Sequence, residues 1–506
     1  MEITSFYFLC FYTVLLILYY VLPGKMQWVL LLVSSIAFYL LSGTPWLILY
    51  PAAAVTVTYF CTRRMDMAPA EQKAGAAESS QAGAHAPGAG RTAALLIDIV
   101  LLIGTLAALK YLKFGGGIAV PLGLSFYTFI LAGYAIDVYN GIAVRQKNFF
   151  RLALYGFYFP TMISGPIMLY RECGEQMYVP HRFDYDQVTK GMQRMLWGFF
   201  KKLVISERAA VLANTVFDNS GSYHGAYIWA AAVFFTIQLY TDFSGCMDIV
   251  IGLSQTLGLK LPENFETPFF AKTISEYWRR WHITLGIWMK DYVFYPLLRT
   301  KLFTGMNRTL RARLGKKAGK QLTTFTAMFI LWLSVGLWHG GNIKYVIGSG
   351  LLHWFYIVIG EVTLPFWKKV LPKAHIPMEG KAADLFRIIR TFFLVNIGNV
   401  FFRASSAGTA AKMLRQGITA WNPQILVDGS LLKLGLDGID CAVLGVSVAI
   451  LFTVSVLQQK ASVRERIAAK PAAVRWVIWF AALFYVILLG EYGPGYSASE
   501  FIYQGF

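Results

Sequence analysis

With 506 residues, 56% of them hydrophobic and only 14% charged, the chain falls short of the roughly 25% charged residues a soluble globule carries, which excludes a soluble enzyme or binding module. The formal charge of +19 sits mostly in short loops such as "VRQKNFFR", "RTLRARLGKKAGK" and "QQKASVRERIAAK", as expected of cytoplasmic loops; without base-stacking aromatics among them it argues against a nucleic-acid partner. Cys10, Cys61, Cys173, Cys246 and Cys441 form no CxxC pair, which argues against a disulfide framework or zinc site.

Apolar runs near the ~20 residues that cross a bilayer recur at 6–22, 27–43, 45–61, 93–112 and 118–138. They return at 225–241, 283–298, 322–338, 343–362, 384–402, 439–457 and 472–490. The lipid bilayer is therefore the first partner. The expected fold class is all-α, a polytopic transmembrane helical protein with a single membrane-embedded domain over 1–506. The first run lacks a basic n-region and a cleavage site, so it reads as a spanning helix rather than a signal peptide. The stretch 66–91 is rich in Ala, Gly, Ser and Pro and reads as a flexible cytoplasmic linker. With it inside, three preceding spans place the N-terminus outside.

Two middle regions fail to read as simple spans. One, 154–170, is broken by Pro160, Gly165 and Pro166; the other, 257–285, carries Pro262, Pro268, Glu263, Glu266, Glu276, Arg279 and Arg280. Such backbone is tolerated at membrane depth where it lines a cavity or is buried in protein, so both are expected as broken or re-entrant helices around an internal chamber. Between them, 191–210 reads as an amphipathic helix on the inner surface with paired lysines Lys201 and Lys202. The stretch 404–438 is expected to be an extracytoplasmic loop.

No GxSxG elbow, Walker A loop, HExxH, GxGxxG or paired metal-ligand spacing occurs, so no metal site is expected. "HRFDYD" (181–186) has a His-x4-Asp spacing in a polar loop, where chance is the better reading. "HGGN" (339–342) is similar to a lipase oxyanion loop, but no nucleophile elbow accompanies it. What remains are ionisable residues in apolar surroundings, His339, His282, Asp242 and His353, each costing roughly 2.5–3.5 kcal/mol on insertion scales. A lone histidine in an apolar stretch is more often a hydrogen-bonded core residue. His339 stands out because Gly336, Gly340 and Gly341 leave room for a ligand and Trp338 can wall a pocket. Its neutral ring suits a general base at membrane depth. In "SEYWRRWHITL", Glu276 is spaced to pair with Arg279 or Arg280, and Trp278 and Trp281 continue an apolar stripe.

In this order, "DFSGCMDIVIGLSQTLGLKLPENFETPF", "SEYWRRWHITLGIWMKDYVFYPL" and "GLWHGGN" resemble the membrane-bound O-acyltransferase family. They are similar in particular to its alginate O-acetylase branch, with the membrane protein of teichoic-acid D-alanylation as a relative. "PLGLSFYTFILAGYAIDVYNG", "FPTMISGPI", "GFFKKLVISERAAVLANTVF" and the terminal "FIYQGF" fit the same branch. The stretch "PLLRTK" (296–301), the region 404–438 and the surroundings of "GLLHW" depart from it, which leaves the acceptor open.

The resemblance implies a helical funnel with His339 at its constriction and His282 as the second catalytic histidine. Lining residues would be Asp242, Asn264, Glu276, Trp278, Arg279, Arg280, Trp338, Gly340, Asn342 and His353, with Arg279, Arg280 or Lys290 receiving donor phosphates. It further implies a multi-pass protein of a bacterial plasma membrane that binds no cofactor. The donor substrate would be a cytoplasmic thioester, acetyl-CoA or an acyl carrier protein. The acyl group, acetyl before D-alanyl, would pass to a hydroxyl of an extracytoplasmic polysaccharide or cell-wall polymer, directly or through a secreted or membrane-anchored acyltransferase partner. The rivals are a proton-coupled transporter or flippase-like channel using His339 and His282 as relays, and a scaffold for secreted partners.

Overall fold

The computed structural model describes residues 1–65, 88–111 and 120–492. The linker expected at 66–91 lies almost wholly outside them, as does "FIYQGF". The chain is an all-α polytopic membrane protein, 79% helical with no strands among the described residues. Eight described helices are long and apolar enough to cross a membrane, against the twelve runs legible in the sequence.

Three of the missing four explain themselves. Phe6–Val21 and Leu124–Tyr139 are apolar but only 16 residues each. The run at 283–298 is no continuous helix: it divides into Ile283–Met289, a π-helical turn Lys290–Phe294 and Tyr295–Arg299, where Pro296 sits in the first turn. A proline has no N–H to donate, so the ladder changes register there.

Two compact units divide the chain. The first comprises Met1–Met195 and Met247–Pro262. Its helices close on polar clamps within apolar packing: Thr58 Oγ1 donates to Asp98 at 3.0 Å, Tyr158 donates to Ser254 at 3.0 Å, and Tyr12 bonds Thr256 at 2.8 Å. The broken region 154–170 belongs here, with Pro160 starting the short helix Phe159–Ser164 after a kink at Tyr158. In "HRFDYD", His181 Nε2 donates to the Gln176 carbonyl at 2.8 Å and the His181 N–H donates to Gln27 at 2.7 Å. That histidine ties a loop together.

The second unit comprises Leu196–Cys246 and Glu263–Phe506. It holds the spans Lys316–Trp338, Ile343–Lys373, Lys381–Arg403, Gly438–Gln458 and Ala472–Leu489. The stretch 404–438 contains a capped helix, Ala407–Thr419, and two short turns. The surface helix expected around Lys201 and Lys202 is not found, because both lysines are buried, at 3% and 1% exposure. They sit in the π-helical turn Phe200–Ser206. Lys202 Nζ lies 2.7 Å from both Asp242 Oδ1 and Glu207 Oε1, and Lys201 donates to Ser244 at 2.9 Å. A charge is tolerated in so apolar a setting when opposite charges surround it.

Candidate active site

The segment after Glu263 doubles back on itself. Phe265 and Trp281 form an antiparallel bridge, the Glu266 N–H donates to the Arg280 carbonyl at 2.9 Å, and the Ile283 N–H donates to the Asn264 carbonyl at 3.0 Å. Inside the loop, Thr273 caps the helix Ile274–Arg280, and Arg280 pairs with Glu276 at 2.7 Å.

His282, between this helix and the next, adopts a left-handed backbone at φ 48°, a conformation that costs a non-glycine residue about 1 kcal/mol or more. Asn264 Oδ1 repays it by accepting from Thr284 N at 3.0 Å, Thr284 Oγ1 at 2.9 Å and His282 Nδ1 at 3.2 Å. With Nδ1 donating, the ring lone pair lies on Nε2. The ring is 1% exposed and stands edge-on to Phe243, 4.8 Å between centroids.

His339 closes the Lys316–Trp338 helix as its C-terminal cap. Gly340 and Gly341 follow at φ 145° and 67°, turns that only glycine makes without strain. At 1.5 Å per residue, the 23 residues of this helix rise about 34 Å, so His339 lies a full span from the basic "RTLRARLGKKAGK" end. Its ring is 2% exposed and packs on Trp338 at 4.8 Å and Phe402 at 5.5 Å.

The next helix comes unusually close. A Cβ on Gly336 would lie 2.7 Å from Val346 Cα, and one on Gly350 would lie 2.6 Å from the Trp332 carbonyl oxygen. Small residues thus bring the two backbones into contact, and His353, 5% exposed, packs against Trp278 at 5.0 Å.

Trp278, His339 and His353 meet at one cavity, which His282 and Asn264 do not line. His339, Ser349, His353 and Asn399 are among its polar lining residues, beside the indole of Trp278 and the ring of Phe402. Its volume is about 20 Å³, room for one water and too little for an acyl chain. All lining residues belong to the second unit. Of the two regions expected around a chamber, 257–285 contributes and 154–170 does not. A larger groove of about 670 Å³, lined by Trp229, Phe393, Ile418 and Trp421 among others, has no titratable group on its walls and so offers no acid–base chemistry.

Of the residues singled out in the sequence, His339, Trp278 and His353 line the cavity. Trp338 lies between the two catalytic candidates, 4.8 Å from the His339 ring and 5.9 Å from His282. Asn264 orients His282 and Gly340 forms the turn after His339. Asp242 does not line the cavity but neutralises Lys202, and Glu276 and Arg280 pair with each other. Arg279 and Asn342 are exposed, Asn342 capping a helical turn through Lys344 N. Ser349 and Asn399 were not evident in the sequence; the one local signal was the glycine pair around Ser349.

Residues 142–406 match the family described as MBOAT, membrane-bound O-acyltransferase family. The chain is 31% identical over 423 residues to a Pseudomonas aeruginosa protein named "Probable alginate O-acetylase AlgI", covering 80% of this chain and 72% of the relative. It is 30% identical over 322 residues to a Helicobacter pylori peptidoglycan O-acetyltransferase, 58% and 56% of the two chains. It is 29% identical over 294 residues to a Bacillus subtilis teichoic acid D-alanyltransferase, 56% and 68%. Among the alginate O-acetylase relatives the aligned part spans from 54% to 73% of the relative's length. The chain belongs to the membrane-bound O-acyltransferase family.

Proposed function

We propose that the protein moves an acyl group, acetyl in the first instance, from a thioester donor to a hydroxyl of an extracytoplasmic polysaccharide or cell-wall polymer. The transfer runs directly or through a partner protein. The observation that carries this reading is His339, buried at the end of a full span and facing a narrow cavity with no opposite charge on its walls. His339 takes the proton of the attacking hydroxyl, a role worth about 10²–10⁴-fold. The oxygen bonds to the thioester carbonyl carbon, the C–S bond breaks, and the proton passes to the leaving thiolate. His282, held by Asn264, orders the approach to the same centre. The exposed Arg279 and Lys290 are available to the phosphates of coenzyme A or of a carrier-protein arm.

Acetyl is preferred on the alginate and peptidoglycan O-acetylating relatives, and the Bacillus subtilis relative supports D-alanyl as the second reading. The test is His339→Ala at normal membrane level. Loss of base-labile acyl esters from the cell's polysaccharide is expected, and full retention would sink the enzymatic reading in favour of a transporter or scaffold. The mass of the acyl group released by mild base separates acetyl from D-alanyl.

A further inference from the structure

Hydroxyls in the helices of this chain ordinarily return to the carbonyl four residues back. Ser334 donates to Ile330 at 2.8 Å, Thr323 to Gly319 at 2.9 Å and Ser455 to Leu451 at 2.7 Å. Ser349 does not. It is 6% exposed, and its Oγ has no hydrogen-bond partner among the described residues. The reason is local: Ser349 lies in the π-helical turn Val346–Leu351, where the carbonyl register slips by one residue.

Two of the other residues lining the same cavity carry such an atom. His353 follows Ser349 by four residues, hence on the same helix face, and its buried Nδ1 has no hydrogen-bond partner among the described residues. The same holds for Trp278 Nε1, whose ring packs 5.0 Å from that of His353. All three residues line the cavity that His339 faces. Two other indoles of this unit do find carbonyls: Trp354 Nε1 donates to the Phe325 carbonyl at 2.9 Å and Trp229 Nε1 to the Gly417 carbonyl at 3.0 Å. An indole N–H can only donate, and a hydroxyl and an imidazole N–H can also donate. The three together are therefore complementary to one acceptor oxygen entering the cavity.

We propose that Ser349 Oγ, assisted by His353 Nδ1 and Trp278 Nε1, binds the carbonyl oxygen of the acyl thioester and stabilises the oxyanion formed on it. This rests on the acyl-transfer reading above. As the acceptor oxygen bonds to the carbonyl carbon, the π electrons move onto the carbonyl oxygen and charge develops where the donors converge. The carbonyl re-forms as the C–S bond breaks, and His339 returns its proton to the sulfur. Donors fixed in advance in a dry site stabilise such charge more than water does. A serine that serves only packing would behave differently, because removing a buried unsatisfied hydroxyl relieves a penalty.

The test measures base-labile acyl ester formed per unit of membrane protein, together with the melting temperature of the full chain in detergent. Ser349→Ala is expected to lower the rate about 10- to 100-fold with melting temperature unchanged or raised. Trp278→Phe, which keeps a ring and removes the N–H, should lower it likewise, and Ser349→Cys should recover part of the loss. Wild-type rates in Ser349→Ala and Trp278→Phe, with His339→Ala inactive, would overturn the proposal and leave the cavity donors to a water. A rate that falls only in step with melting temperature, with cysteine no better than alanine, would also overturn it. If His339→Ala itself keeps the wild-type rate, the acyl-transfer reading fails instead.

Discussion

Asn264, 1% exposed, accepts three hydrogen bonds at Oδ1, two from Thr284 and one from His282. Truncation would strand those donors, each buried polar group left alone costing about 1–3 kcal/mol. Asn264→Ala should therefore lower the unfolding free energy by about 2–3 kcal/mol and reduce acyl transfer, measured by thermal melting beside the acyl-ester assay. Lys202 tests the opposite situation, a charge between two carboxylates. Lys202→Met should destabilise by about 3–5 kcal/mol or abolish membrane accumulation. Adding Glu207→Gln and Asp242→Asn to it should recover much of the loss, because the buried charges then vanish together. Failure of the triple variant to recover would show that the lysine stem, not its charge, matters.

Between elements, the decisive contact is the approach of the Lys316–Trp338 helix to the π-helical turn that follows. Gly336→Ala forces a methyl group to within 2.7 Å of Val346 Cα, and backbone does not yield as a side chain does. A lowered melting temperature and loss of acyl transfer are expected. The control is Gly305→Ala in the exposed helix Lys301–Leu314, where an added Cβ meets nothing within 4 Å. That change should stabilise by about 0.5–1 kcal/mol with activity intact. Periodicity made helices of this kind legible in the sequence, and the Gly and Trp residues around His339 marked it as a candidate. Other features were hidden for physical reasons. One of the two carboxylates that neutralise Lys202, Asp242, is 40 residues away, so the local pattern resembles a charged surface helix. Ser349 looks like any serine in an apolar span, since what sets it apart is a one-residue slip in backbone register. The interrupted run after Ile283 is apolar apart from Lys290 and Asp291, and hydropathy does not register a change of helix type.

At the scale of the molecule, the alternation of basic loops predicts which ends face the cytoplasm. Val427, 88% exposed, and Lys317, exposed at the start of its span, should lie on opposite sides. With the native cysteines replaced, Val427→Cys should react with a membrane-impermeant maleimide in intact cells, and Lys317→Cys only after permeabilisation. The reverse pattern would place His339 toward the donor side and invert the proposed direction of transfer.

The narrowness of the cavity beside His339 bears on the physiology of any cell that carries this chain. An enzyme that passes acyl groups between two aqueous compartments risks becoming a leak, and each elementary charge that slips through dissipates about 2.3 kcal/mol per 100 mV of membrane potential. The cavity, about 20 Å³ and walled in part by Trp278 and Phe402, is too small for hydrated sodium or potassium. In the proposed transfer, reaction at so small a cavity lets an acyl group change sides while the electrochemical gradient that powers the cell stays intact.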